Sequence, residues 1–104
     1  MLSGKSILIT GGTGSLGKAL TSHILGNYPD VKRLVILSRD EQKQFQMAMD
    51  YPSEKFPQIR FFIGDVRDRE RLVRAFKGID YVIFVVFKRI DSKFFYFFCV
   101  SFCY

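Results

Sequence analysis

Two hydrophobic patterns alternate along this chain. Uninterrupted apolar positions fill Ile7-Leu8-Ile9 and the centre of Arg33-Leu34-Val35-Ile36-Leu37-Ser38, and a third run follows in Ile59-Arg60-Phe61-Phe62-Ile63. Runs of this kind predict strands buried on both faces, as in a parallel sheet covered by helices on each side. Between the first two runs, Leu16, Ala19, Leu20 and Ile24 recur at helical spacing. A second helix is predicted over 40–50, capped by Ser38 or Asp40 and ended by Asp50-Tyr51-Pro52. A third is predicted over about 69–77, capped by Asp68, with Gly78 suited to its C-terminal turn. Asn27-Tyr28-Pro29-Asp30 reads as a loop, and Asp80-Tyr81-Val82-Ile83 begins a fourth strand. Strands alternating with helices of about ten residues specify βαβ units and an α/β class.

The pattern breaks at Phe84. Seven of the twenty-one residues from there to Tyr104 are Phe, and no Gly or Pro interrupts them. The run from Phe94 to Tyr104 is eleven residues long, against the roughly twenty that a membrane-crossing helix needs. Lys88, Arg89, Asp91 and Lys93 separate it from the apolar end of the fourth strand. The run therefore reads as an aggregation-prone strand or a non-native tail, with no membrane span. Residues 1–83 and 84–104 are accordingly expected to be distinct in character.

Composition changes this picture little. A chain of 104 residues is one small domain. The net charge of +6 invites a nucleic-acid reading. Acids and bases interleave, however, as on an ordinary solvated surface, so no nucleic-acid partner is expected. Cys99 and Cys103 stand four apart without further cysteines and with one histidine in the chain, which supports neither a metal site nor a disulfide framework. The first strand starts almost at once, with no charged-then-apolar leader, so a cytoplasmic setting is expected. His23 falls on the first helix and reads as a surface residue rather than a base.

Candidate chemistry lies at the strand ends. The first strand runs into Gly11-Gly12-Thr13-Gly14-Ser15-Leu16-Gly17, a Gly-x-Gly-x-x-Gly pattern between a strand and a helix. The glycines allow a tight turn and close approach of backbone to phosphate. The helix that follows offers free N–H groups and a positive dipole end to an anion. This predicts a pyrophosphate cradle and a Rossmann-type sheet with flanking helices, truncated to about its first four strands. The second strand ends in Ser38-Arg39-Asp40-Glu41-Gln42-Lys43. A hydroxyl and two cations, Ser38 with Arg39 and Lys43, suit a ribose 2′-phosphate and favour NADP over NAD. The alternative is a capped helix start with solvated charges. Gly64-Asp65-Val66 closes the third strand, where Asp65 can accept from an adenine amino group and Val66 can pack on the ring, unless Asp65 only opens the next turn.

These segments taken together resemble a known family. Ser-Ile-Leu-Ile-Thr-Gly-Gly-Thr-Gly-Ser-Leu-Gly-Lys (6–18), Leu-Ser-Arg-Asp-Glu (37–41) and Arg-Phe-Phe-Ile-Gly-Asp-Val-Arg-Asp (60–68) are similar to the inverting UDP-N-acetylglucosamine 4,6-dehydratases. Those belong to the CapD-like polysaccharide-biosynthesis group of the extended short-chain dehydrogenase/reductase superfamily. The similarity covers residues 2–83. It implies that Thr13 to Leu16 hold the pyrophosphate, that Ser38, Arg39, Asp40 and Lys43 hold the adenosine ribose and its phosphate, and that Asp65 and Val66 hold the adenine. It further implies tightly bound NADP, a homo-oligomer, and UDP-N-acetylglucosamine as substrate. The implied reaction is intramolecular redox with loss of water, giving a 4-keto sugar for glycan synthesis.

The resemblance also marks a departure. The family follows Tyr-Val-Ile with His-Ala-Ala-Ala-Leu-Lys, where this chain has Phe84-Val85-Val86-Phe87-Lys88-Arg89. The superfamily's acid–base pair is Tyr-x-x-x-Lys on a later helix. That spacing occurs here as Tyr28 to Lys32 and Tyr51 to Lys55, each with Pro next to the tyrosine, in loops leading into strands and so opposite the cofactor end. No catalytic residue is assigned. The expectation is the N-terminal fragment of a dehydratase with an out-of-frame or diverged tail, inactive alone. The alternative is a non-catalytic truncated nucleotide-binding module.

Overall fold

The structure is a computed structural model describing residues 2–11, 13–90 and 93–102, those after Phe84 by their backbone alone. Gly12 of the glycine loop and Cys103 lie outside the described residues. The elements in order are β1 (Ser6–Thr10), α1 (Ser15–Asn27), β2 (Arg33–Ser38), α2 (Glu41–Asp50), β3 (Ile59–Ile63), α3 (Arg69–Phe76), β4 (Tyr81–Ile90) and β5 (Lys93–Phe102). They form one sheet in the order β3-β2-β1-β4-β5, with the first four strands parallel and β5 antiparallel to β4. The described residues thus have a Rossmann-like α/β fold.

The runs in β1 and β2 are buried on both faces, whereas β3, at the sheet edge, buries only Ile59 fully, with Phe61 and Phe62 half-buried and Arg60 and Ile63 exposed. On one face Ile7, Ile9, Leu34, Ile36, Ile59 and Ile83 pack with Ile24 and Leu25 of α1 and Met47 of α2. On the other, Leu8, Val35, Leu37 and Val82 pack with Ala75 of α3 and Ile79. Successive strand side chains point to opposite faces, so each apolar run feeds two cores at once. The inner face of α1 carries Gly17, Thr21, Ile24 and Leu25, with Leu20 partly buried, whereas Ala19 is exposed. Thr21 is tolerated there because its hydroxyl donates to Gly17 O at 2.8 Å.

β1 pairs with β2 on one side and β4 on the other. The chain moves outward from β1 through β2 to β3 and then returns past β1 to β4, which makes the gap between β1 and β4 the topological switch point. Ligands of open α/β sheets bind in the crevice at the carboxyl ends of the strands there. The glycine loop leaves β1 at that end. The helix ends follow the sequence: Asp40 and Asp68 cap α2 and α3 by accepting from Lys43 N at 2.9 Å and Arg71 N at 3.2 Å. Gly78 takes a left-handed φ of 76° just past α3.

The described backbone after Phe84 stays in the sheet. β4 runs on to Ile90, and β5 pairs with it from Tyr81↔Phe102 to Ile90↔Lys93. The edge of β4 away from β1 is therefore paired along its length.

Candidate functional site

The site is built from the carboxyl ends of β1, β2 and β3. Gly11 has a φ of 65°, a left-handed conformation that suits glycine. Its N–H donates to Leu37 O at 2.8 Å, which ties the loop to the end of β2. Gly14 N–H donates back to Gly11 O at 3.2 Å, closing a tight turn. Gly14 is the N-cap of α1, with φ −77° and ψ 176° and no side-chain cap bond. The first turn of α1 holds no acid. The contrast with α2 and α3 is chemical: an aspartate occupies the N-terminus of each of those helices, and none occupies that of α1. Backbone N–H groups of Ser15, Leu16 and Gly17 thus open a positive dipole end without a built-in anion. Thr13 and Gly17 are buried.

At the end of β2, Ser38 is buried at 8% exposure. Its Oγ accepts from Gln44 Nε2 at 2.8 Å, and its carbonyl accepts from Gly64 N at 2.9 Å. Arg39, next in the chain, is exposed. Asp40 commits its carboxylate to the α2 cap, and Lys43 lies exposed on the first turn of α2. The end of β3 comes alongside. Arg39 Nη1 stands 3.7 Å from Asp65 Oδ2, so the two strand ends meet through an ion pair. Val66 is 50% exposed, an apolar side chain open to solvent next to Asp65.

Asp65 has a second cation. Arg67 Nη2 donates to Oδ2 at 2.8 Å, Arg67 Nε reaches both carboxylate oxygens at 3.2 Å, and Arg67 N–H donates to Oδ1 at 2.9 Å. The Arg67 side-chain hydrogen bond, reinforced by its backbone N–H and by the charges of Arg67 and Arg39, lowers the Asp65 pKa from 3.8 to about 2. Asp65 is therefore an ionised acceptor at any physiological pH. The candidate residues of β1, β2 and β3 stand at the carboxyl ends of those strands, and two neighbours that the sequence did not single out shape them. Arg67 acts through an Asx turn in which Asp65 accepts from the N–H two residues on, a signal readable only once the turn is known. Gln44 is buried at 4% exposure. Its signal was a polar side chain at the inward spacing set by Met47, three residues later.

His23 is exposed beside Asn27, whose Nδ2 lies 3.3 Å from its Nδ1. Tyr28 and Tyr51 form the C-terminal caps of α1 and α2 and pack against the core, Tyr51 edge-on to Phe56 at 5.2 Å. Both lie at the end of the sheet where β2 and β3 begin, away from the glycine loop. Among the described residues, no helix is long and apolar enough to cross a membrane.

Comparison with known proteins gives a consistent set. The family model described as polysaccharide biosynthesis protein matches residues 7–92. The chain is 53% identical over 83 residues to the UDP-N-acetylglucosamine 4,6-dehydratase (inverting) of Campylobacter jejuni subsp. jejuni serotype O:2, covering 80% of this chain and 24% of that protein. It is 48% identical over 80 residues to a UDP-glucose 4-epimerase of Rickettsia bellii, covering 75% of this chain and 23% of that protein. The X-ray structure of Pen from Bacillus thuringiensis superposes with a TM-score of 0.70 at 35% identity, over 79% of this chain and 24% of that one. The chain spans about a quarter of the length of these relatives. With a family match over residues 7–92 and 53% identity to a dehydratase over 83 residues, the chain belongs to the polysaccharide biosynthesis protein family that includes the inverting UDP-N-acetylglucosamine 4,6-dehydratases.

Proposed function

We propose that this chain is the NADP-holding part of a nucleotide-sugar 4,6-dehydratase. The observation that carries the reading is the N-terminus of α1: a glycine cap, no acid in the first turn, and a turn fixed by Gly11 at the switch point of the sheet. The residues present suit a dinucleotide. Backbone N–H groups of Thr13 to Leu16 hold the pyrophosphate, Ser38, Arg39 and Lys43 the adenosine ribose and its phosphate, and Asp65 with Val66 the adenine. Asp40 serves this site by fixing the start of α2. NADP, when bound, supplies a hydride acceptor that can also return the hydride. What the chain's own residues supply is binding and orientation.

The substrate inferred from the dehydratase relative is UDP-N-acetylglucosamine, in a cytoplasmic homo-oligomer of full length. The epimerase relative matches over nearly the same length. The shared region therefore serves cofactor binding in both, and the choice of reaction belongs to other parts of the protein. Both Tyr-x-x-x-Lys spacings stand at the far end of the sheet, so no tyrosine–lysine pair reaches the crevice from them. A non-catalytic nucleotide-binding module is the second reading, and that placement favours it.

Calorimetric titration of the chain with NADP and NAD tests the proposal. The expected result is NADP binding at least about tenfold tighter than NAD, or about 1.4 kcal/mol. Absence of NADP binding, or preference for NAD, overturns it. Incubation with NADP and UDP-N-acetylglucosamine is expected to give no 4-keto sugar. Turnover by the chain alone would remove the second reading.

A further inference from the structure

Gln44 occupies a position where the pattern of α2 calls for an apolar side chain, buried at 4% exposure one turn before Met47. Its Nε2 lies 2.8 Å from Ser38 Oγ, 2.9 Å from Phe62 O and 3.3 Å from Ser38 O. Backbone carbonyls only accept, so Phe62 O and Ser38 O fix which way the amide faces, with its NH2 toward them. Two protons are available. They go to the two nearest acceptors, Phe62 O and Ser38 Oγ, while Ser38 O already receives the Gly64 N–H at 2.9 Å. Gln44 thereby joins the ends of β2 and β3 and settles the polarity of the Ser38 hydroxyl. Inside the protein that oxygen is an acceptor. Its own proton is left to donate elsewhere.

This polarity selects between ligands. A proton-donating hydroxyl followed in the chain by a guanidinium offers two donors to an anion. Of the carboxylates nearby, Asp40 Oδ1 accepts the N–H of Lys43, and Asp65 is paired with Arg67 and lies 3.7 Å from Arg39. A ribose 2′-hydroxyl needs an acceptor for its proton, whereas a 2′-phosphate needs only donors.

We propose that Gln44 is a positioning residue that makes the end of β2 select a 2′-phosphorylated adenosine, by holding Ser38 as a proton donor. The inference rests on the reading of this crevice as an NADP site and adds the residue that sets its specificity.

The test measures NADP and NAD affinities for the full chain and for Gln44→Met, Ser38→Ala and the double variant, with circular dichroism checking that each folds. A purely structural role for Gln44 lowers both affinities together. The positioning role lowers the NADP-to-NAD affinity ratio about tenfold in Gln44→Met and in Ser38→Ala, with no further loss in the double variant. An unchanged ratio in Gln44→Met overturns the inference while leaving the NADP reading intact. So does an equal loss on each background. Wild-type chain that fails to prefer NADP removes the reading itself. If Gln44→Met does not fold, Ser38→Ala decides alone, and an unchanged ratio there is equally fatal.

Discussion

At the scale of single residues, the site is set by close packing around Gly64 and by charge around Asp65. A Cβ on Gly64 would lie 2.9 Å from Arg71 Cγ and 3.1 Å from Leu37 Cδ1. Neither neighbour can yield easily. Leu37 is core, and Arg71 is pinned by donating Nε to Ile63 O at 2.8 Å while its guanidinium stacks 4.2 Å over the Phe62 ring. Gly64→Ala is therefore expected to cost about 1–3 kcal/mol, the usual range for overpacking, read as a lower urea midpoint with an unchanged slope. Asp65 next to it makes a prediction about pH. Its folded-state pKa is depressed to about 2 from 3.8, chiefly by the Arg67 side chain. A depressed carboxylate stabilises the fold above its unfolded value and loses that contribution as pH falls through the folded one. Between about pH 4 and pH 2 the wild-type stability should thus fall more steeply than that of Asp65→Asn, and above that window the difference should be constant. Urea midpoints measured across the acid range check this. Parallel curves would mean that the Arg67 pairing does not hold the carboxylate.

At the scale of elements, α1 is the helix whose N-terminus has no side-chain cap and no acid in its first turn. Gly14 has an ordinary φ of −77°, and among the described residues a Cβ there meets only Gly11 O, at 3.6 Å. A side chain is sterically acceptable, so glycine at this place is not demanded by the fold. Gly14→Asp should keep the helix as stable or make it a few tenths of a kcal/mol more stable, since aspartate is a good N-cap. It should weaken NADP binding by more than about tenfold, because a carboxylate would occupy the place of the phosphate and repel it. Melting curves beside calorimetry separate the two effects. A variant that binds NADP undiminished would show that α1 does not receive the phosphates. Most of this element plan was legible beforehand. β2 and β3 keep the bounds that their apolar runs gave, and α2 and α3 start after the aspartates that cap them. What was not legible depends on contacts across the chain. Gln44 breaks the hydrophobic pattern and makes sense only when Phe62 and Ser38 are seen beside it. The choice between Ser38 and Asp40 as the cap was settled by the burial of Ser38 beneath Gln44. Ala19 was counted with the inner face of α1 on spacing alone, but the face rotates toward Gly17 and Thr21 because the glycine lets α1 approach the sheet closely.

At the scale of the molecule, the open question is how the sheet ends. Its edges are β3, of five residues, and β5, of ten. The register between β1 and β4 stops at Thr10↔Phe84, while β4 and β5 stay paired as far as Ile90↔Lys93. The hairpin therefore continues past the end of β1 by six residues of β4, roughly 20 Å at a strand's rise. Pairing with β5 satisfies the edge of β4 but passes the exposed ladder on to β5, whose sequence Lys-Phe-Phe-Tyr-Phe-Phe-Cys-Val-Ser-Phe carries one charge, at its start. Long edge strands rich in aromatic and β-branched residues and poor in charge template the pairing of further chains. The chain is therefore expected to self-associate through β5 at concentrations where its Rossmann-like part remains folded. Tyr96→Lys together with Phe98→Lys places two charges in the middle of that edge strand. The double variant should raise the concentration at which light scattering appears several-fold, with the far-ultraviolet dichroism and the NADP affinity of the remaining strands unchanged. If scattering begins at the same concentration, association proceeds through another surface. If dichroism and affinity are lost as well, β5 supports the fold of the parallel strands rather than merely extending their sheet.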